Sequence, residues 1–244
     1  VRNGPLVKTG HLQRQADLQA LLEGNAMNPS ECVTEYAQDE GLGVYPRKPM
    51  PIRTTKEELD LTNQWRALPL NQAPLSVTGH RSPQALDQIV DYLDVLSSAR
   101  YAATTKATYC ATFLWDWSRC MGVEVPHWAL DGDGTPCRPA HDEGSEWNCN
   151  RLATEWLPKF AERYGWRKCL AGMDAQLAAE QGKPAFIIWA NPDGGHGHCS
   201  VVVPAHGEDG VQVAQAGRVS WRRQHVGYAF SPQKLAAATF WAHE

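Results

Sequence analysis

The sequence predicts an α+β fold, with a cysteine-bearing helix packed on a C-terminal antiparallel sheet. Two observations carry this. Apolar residues recur at helical spacing from Ser82 to about Gln181, and the last third then changes to short strands separated by turn signals. The 244 residues, 43% hydrophobic and 20% charged, suffice for one large domain plus an extension. No apolar run approaches the roughly 20 residues that cross a bilayer. A net charge of −4 gives no reason to expect nucleic acid or an anionic membrane as partner.

Residues 1–75 read as an N-terminal extension: a pro-segment, arm or targeting region. Leu12, Leu18, Leu21 and Leu22 suit a short helix ending at Gly24-Asn25, and Pro46, Pro49 and Pro51 break regular structure. Thr55 with Glu58 forms a capping box for a second helix. If this extension covers a cleft, truncation near Leu75 should raise activity. The domain proper is expected over 76–244.

Ser82 caps a helix with Pro83 in its first turn and Leu86, Ile89, Val90, Leu93 and Leu96 on one face. Thr108 caps the next, an amphipathic helix carrying Phe113, Leu114 and Trp117, with Cys110 as its second residue. Unpaired N–H groups and the helix dipole there favour a thiolate, although on the helix alone a cysteine is more often a small core residue. A Gly- and Pro-rich loop runs to Asp142. A helix from about Asn150 turns Leu152, Trp156, Leu157, Phe160 and Tyr164 inward, with a kink expected at Pro158. Another, Met173 to Gln181, closes at Gly182.

Residues 185–190, 198–203 and 211–215 read as three strands of a meander. Alternation puts His198, Ser200 and Val202 on one face. A cysteine nucleophile needs a base, and the base needs an orienting group. His198 on the central strand and Gln215 on its neighbour suit these two roles.

These residues resemble a known family. Thr-Tyr-Cys-Ala-Thr-Phe at 108–113 is similar to the nucleophile helix of the papain-like NlpC/P60 and CHAP cell-wall hydrolases. Gly197-His198-Cys199-Ser200-Val201-Val202-Val203 resembles their Gly-His-Val-Ala-Val-Val strand, and Ala214-Gln215-Ala216-Gly217 the segment after it. The resemblance covers roughly residues 82–244. It implies a papain-like fold and hydrolysis of amide bonds in peptidoglycan stem peptides or cross-links, in a protein secreted or delivered to the periplasm or cell wall. An inhibitor or immunity protein is a further implied partner. Cys110 would be the nucleophile, His198 the base and acid, and Gln215 the third member, where His, Asn or an acidic residue is more usual. Cys199 stands where an apolar residue is usual. Tyr109 is a candidate oxyanion donor, and Trp128 and Asn148 candidates for lining the cleft. A cysteine protease or deamidase acting on a host protein, and a catalytically silent binding module, are the alternatives.

No cofactor or metal is expected. The seven cysteines contain no CxxC pair, and their odd number fits one free thiol with up to three bridges. Bridges would imply an oxidising compartment, but no signal-peptide pattern is visible in the chain. His196, His198, Cys199 and His206 suit zinc by type but alternate across a strand. Asp131-Gly132-Asp133 resembles a calcium loop without its later ligands. Arg218, Arg222 and Arg223 form a basic cluster suited to anionic groups or to solvent.

Overall fold

A computed structural model describes residues 67–68, 70, 73–137 and 144–244. By contacts the chain separates between Pro46 and Arg47, and every described residue belongs to the second unit. The helices expected near Leu18 and after Thr55 lie outside the described residues. Leu68 and Leu70, assigned above to the extension, are buried in the core of this unit, and the Arg119 guanidinium donates to the Leu68 carbonyl at 2.7 Å.

The described chain is α+β. Helix α1 (Pro83–Leu93) starts as expected, with the Ser82 hydroxyl accepting from the Ala85 N–H, and it buries Leu86, Ile89, Val90 and Leu93. Asp94 then turns left-handed (φ 46°), so Leu96 does not continue the stripe: it is exposed, and Val95 enters the core instead.

Helix α2 (Cys110–Cys120) begins one residue later than the sequence suggests. Tyr109 is its N-cap, without a side-chain bond, and Cys110 is the first helical residue. Nor is α2 a surface helix: every residue except Ala111 is buried. Several of its polar side chains are paired. Ser118 Oγ donates to the Trp115 carbonyl and accepts from the Val125 N–H. Asp116 holds Arg100 and Tyr101.

A two-stranded hairpin follows, β1 (Trp128–Leu130) with β2 (Gly144–Glu146). The helix expected from Asn150 is a run of changing pitch: α3 (Cys149–Arg151), a π turn over Leu152–Trp156, α4 (Leu157–Phe160) and a 3-10 turn over Ala161–Tyr164. Pro158 has no N–H, and its ring crowds the carbonyl four residues earlier. The π turn just before it accommodates both. Helix α5 (Gly172–Glu180) ends at Gly182, whose φ of 73° suits glycine and where a Cβ would lie 2.4 Å from Ser82 backbone.

Six strands form one antiparallel sheet: β3 (Trp166–Lys168), β4 (Ala185–Trp189), β5 (His198–Val202), β6 (Gln212–Gln215), β7 (Trp221–His225) and β8 (Thr239–His243), in the order β3-β8-β4-β5-β6-β7. The expected meander is its middle, with Trp189 opposite His198 and Val201 opposite Ala214. Two short helices, α6 (Val226–Ala229) and α7 (Pro232–Ala237), lead from β7 to β8. Helix α2 packs on β5, which fixes the site. No helix among the described residues is long and apolar enough to cross a membrane.

Candidate active site

The approach to α2 is held from below. Arg100 Nε and Nη2 donate to the two carboxylate oxygens of Asp116 at 2.6 and 3.0 Å, and the Tyr101 hydroxyl donates to Oδ2 at 2.8 Å. The ion pair is buried on both sides. Residues 102–109 therefore leave an anchored point and deliver Cys110 to the head of α2, where the first N–H groups have no intrahelical acceptor.

His198 opens β5. Its ring lies 5.1 Å from that of Phe230, and its Nε2 is 2.6 Å from Gln215 Oε1. Gln215 Nε2 donates to the Val219 carbonyl at 2.9 Å, which orients the amide so that its oxygen faces His198 and also accepts from Ser200 Oγ at 3.1 Å. His198 Nε2 thus carries a proton toward Gln215, and Nδ1 is left to act as the base.

Cys110 and His198 interact, and each shifts the other. The Cys110 thiol is held well below its usual range, first by hydrogen bonds from Cys149 and Cys199 and then by the bond and charge of His198, against the opposing effect of burial. His198 is raised: burial pulls it down, but the hydrogen bond and charge of Cys110, with Gln215, outweigh that. Both shifts favour moving the proton from the sulfur to the ring.

The neighbouring thiols were not visible as partners in the sequence. Cys149 Sγ lies 3.5 Å from Cys110 Sγ and 3.4 Å from Cys199 Sγ. The thiols of Cys149 and Cys199 are pushed up, the first mainly by its bond to Cys110 and the second mainly by burial, so they stay protonated and donate. All six described cysteines are free thiols, so the disulfides that the count allowed do not form among them.

A cavity of about 510 Å³ opens over Cys110, lined also by Tyr109, His127, Glu146, Asn148 and Asn150. A second, of about 400 Å³, opens over His198 and Gln215. The two share Ala107, Thr108, His196 and Gly197, so one groove runs past both reacting groups. Asn148 Oδ1 accepts from the N–H groups of Asn150 and Arg151, which leaves its amide NH2 as the part offered to the cavity. Burial lowers His127 to about 4, so it lines the groove as a neutral ring, 5.5 Å from Trp115.

Asn150 was missed by sequence reasoning. Its Oδ1 accepts from the Asn191 N–H at 2.8 Å and its Nδ2 donates to the Gly195 carbonyl at 2.7 Å, clamping the turn that leads into His198. Gly197 passes so close that a Cβ would lie 2.5 Å from Asn150 Oδ1 and 2.7 Å from the Trp189 carbonyl. The glycines before His198 were the visible half of this contact.

Other candidates fall elsewhere. Trp128 is on β1 against Gly144 and does not line the cavity. His206 pairs with Asp87 at 2.7 Å while Cys199 joins the sulfur cluster, so the four residues weighed for zinc do not converge. Asp131 accepts from Ser145 and Arg151 at the hairpin, a paired turn residue. Arg222 and Arg223 pair with Asp91 and Asp87 of α1.

Compared with models of known protein families and with curated proteins, the chain matches none.

Proposed function

We propose that the protein is a papain-like cysteine hydrolase of the NlpC/P60 and CHAP type, cutting amide bonds in the stem peptides or cross-links of peptidoglycan at the cell wall. One observation carries the reading: a sulfur at the head of a buried helix, lowered toward the thiolate, meets a strand histidine whose far nitrogen is fixed by an amide, all along one open groove. Two rigid elements hold the reacting pair, as such chemistry requires.

Cys110 thiolate attacks the substrate carbonyl. The oxyanion is met by the Cys110 N–H, with Tyr109 or the Asn148 NH2 as second donor. The C–N bond breaks as His198 gives its proton to the leaving amine, and a thioester remains on Cys110. Water then attacks the thioester, His198 takes its proton, and the carboxylate product leaves the thiolate restored. Gln215 keeps the ring in one tautomer through both steps.

The test is digestion of purified sacculi, with released muropeptides identified by mass, beside a panel of folded proteins. Release of stem-peptide fragments by the natural chain and none by Cys110→Ala, at unchanged thermal unfolding, is expected. Cleavage or deamidation of proteins with intact sacculi would favour the effector alternative, and full activity of Cys110→Ala would remove the nucleophile.

A further inference from the structure

The acyl-transfer chemistry uses one of three sulfurs. Those of Cys110, Cys149 and Cys199 all lie within 4.8 Å of one another and all three residues are buried. Two of the separations are 3.5 and 3.4 Å. Bonded sulfurs sit at about 2.05 Å, whereas two thiolates on one tetrahedral zinc, each at about 2.3 Å, stand roughly 3.8 Å apart. Those two separations are therefore a few tenths of an ångström from the edge of a metal tetrahedron and far from a bridge.

Three protein sulfurs leave one position of a tetrahedron for a solvent or added ligand, and the cavity over Cys110 gives access to it. Three thiolates and a divalent ion leave one net negative charge, which the N–H groups at the head of the 11-residue α2 face. Thiolate donors select soft cations over magnesium or calcium.

We propose that Cys110, Cys149 and Cys199 form a site for one thiophilic divalent cation of the zinc and cadmium class, whose binding occupies the nucleophile and silences hydrolysis. Binding releases the thiol protons and involves no change of oxidation state. The silencing half rests on the hydrolase reading; the binding half does not.

Cadmium is the probe. Full-length protein, reduced and stripped with chelator, is titrated with Cd²⁺ while thiolate-to-metal absorption is followed in the ultraviolet. Saturation at one ion per chain is expected, with binding weakened about a hundredfold or more in Cys149→Ala and in Cys199→Ala but not in Cys120→Ala. On the natural chain, iodoacetamide labelling mapped by mass should show Cys110 protected by Cd²⁺ while Cys137 and Cys169 are not, a measurement that survives if a variant fails to fold. Sacculus digestion should fall with metal occupancy and return with chelator. Absence of one-ion saturation, or an unchanged rate of Cys110 labelling at saturating Cd²⁺, overturns the site. Saturation with undiminished digestion overturns the silencing alone. Sacculi untouched even by the stripped protein would count against the hydrolase reading, with the absorption and labelling still deciding the site.

Discussion

Gln215 reaches His198 with its carbonyl oxygen and the Val219 carbonyl with its amide nitrogen, at 2.6 and 2.9 Å. The second bond decides the first: a flipped amide would set two oxygens against each other. The imidazole tautomer is thus specified by a backbone carbonyl four residues past the glutamine.

Gln215→Ala should lower kcat by about 10- to 100-fold and leave KM nearly unchanged, less than the 10²–10⁴ carried by the proton transfers themselves. Gln215→Asn, too short to span both partners, should fall nearer Ala than the natural enzyme. Steady-state kinetics on a soluble stem-peptide substrate would check both.

The rate should form a bell in pH. It rises as pH climbs through the lowered Cys110 value, where the thiolate forms, and falls as pH climbs through the raised His198 value, where the leaving amine loses its proton donor. Gln215→Ala removes one of the influences raising His198, so the alkaline limb should move to lower pH. A profile of kcat/KM for both enzymes measures this.

His127 is lowered from 6.5 to about 4, chiefly by burial. The unfolded chain takes up this proton first as pH falls, so stability is full above about 6.5 and drains away down to about 4. That window corresponds to about 3 kcal/mol from this group. Urea unfolding at pH 7 and pH 4.5 should show the loss, and His127→Phe should flatten it.

Asp116→Ala should cost about 3–5 kcal/mol, because it removes the carboxylate that the buried Arg100 guanidinium is paired with. Replacing both, Arg100→Met with Asp116→Leu, should recover much of that. Chemical denaturation of the three variants, with sacculus digestion alongside, would separate anchoring of residues 102–109 from plain stability.

Asn150→Ala removes both bonds that clamp the turn before His198. The expected result is a fall in kcat of about tenfold or more with little change in unfolding midpoint, since loop positioning, not core, is lost. Kinetics and thermal unfolding on the same sample test it.

Periodicity reported what lies on one face and was blind to what faces it. Leu86, Ile89 and the Val-rich β5 announced themselves by spacing, and so did the meander. Strand β7, Trp-Arg-Arg-Gln-His, is an edge strand with little apolar alternation, and β8 alternates too briefly to stand out beside the helical turn before it. For the candidate site, the helix and strand patterns were enough to bring Cys110, His198 and Gln215 together as candidates, although α2 also carries Cys120 and β6 also carries Gln212. Cys149 and Asn150 were not legible, since their approach depends on a helix start meeting a turn more than 40 residues later. The buried Arg100–Asp116 pair gave no local signal either, because two charges 16 positions apart read as solvated until α2 proves enclosed.

Strand β8 comes latest in the described chain yet lies between β3 and β4. Until residues 239–243 exist, two ladders of backbone donors and acceptors stand open, and the groove is framed by a sheet missing its inner rung. Translation of the earlier elements therefore cannot produce the finished sheet, and its closing strand contacts span long stretches of sequence, which makes for slow maturation. A ribosome stalled before Thr239 would release a sticky half-sheet in place of the closed one.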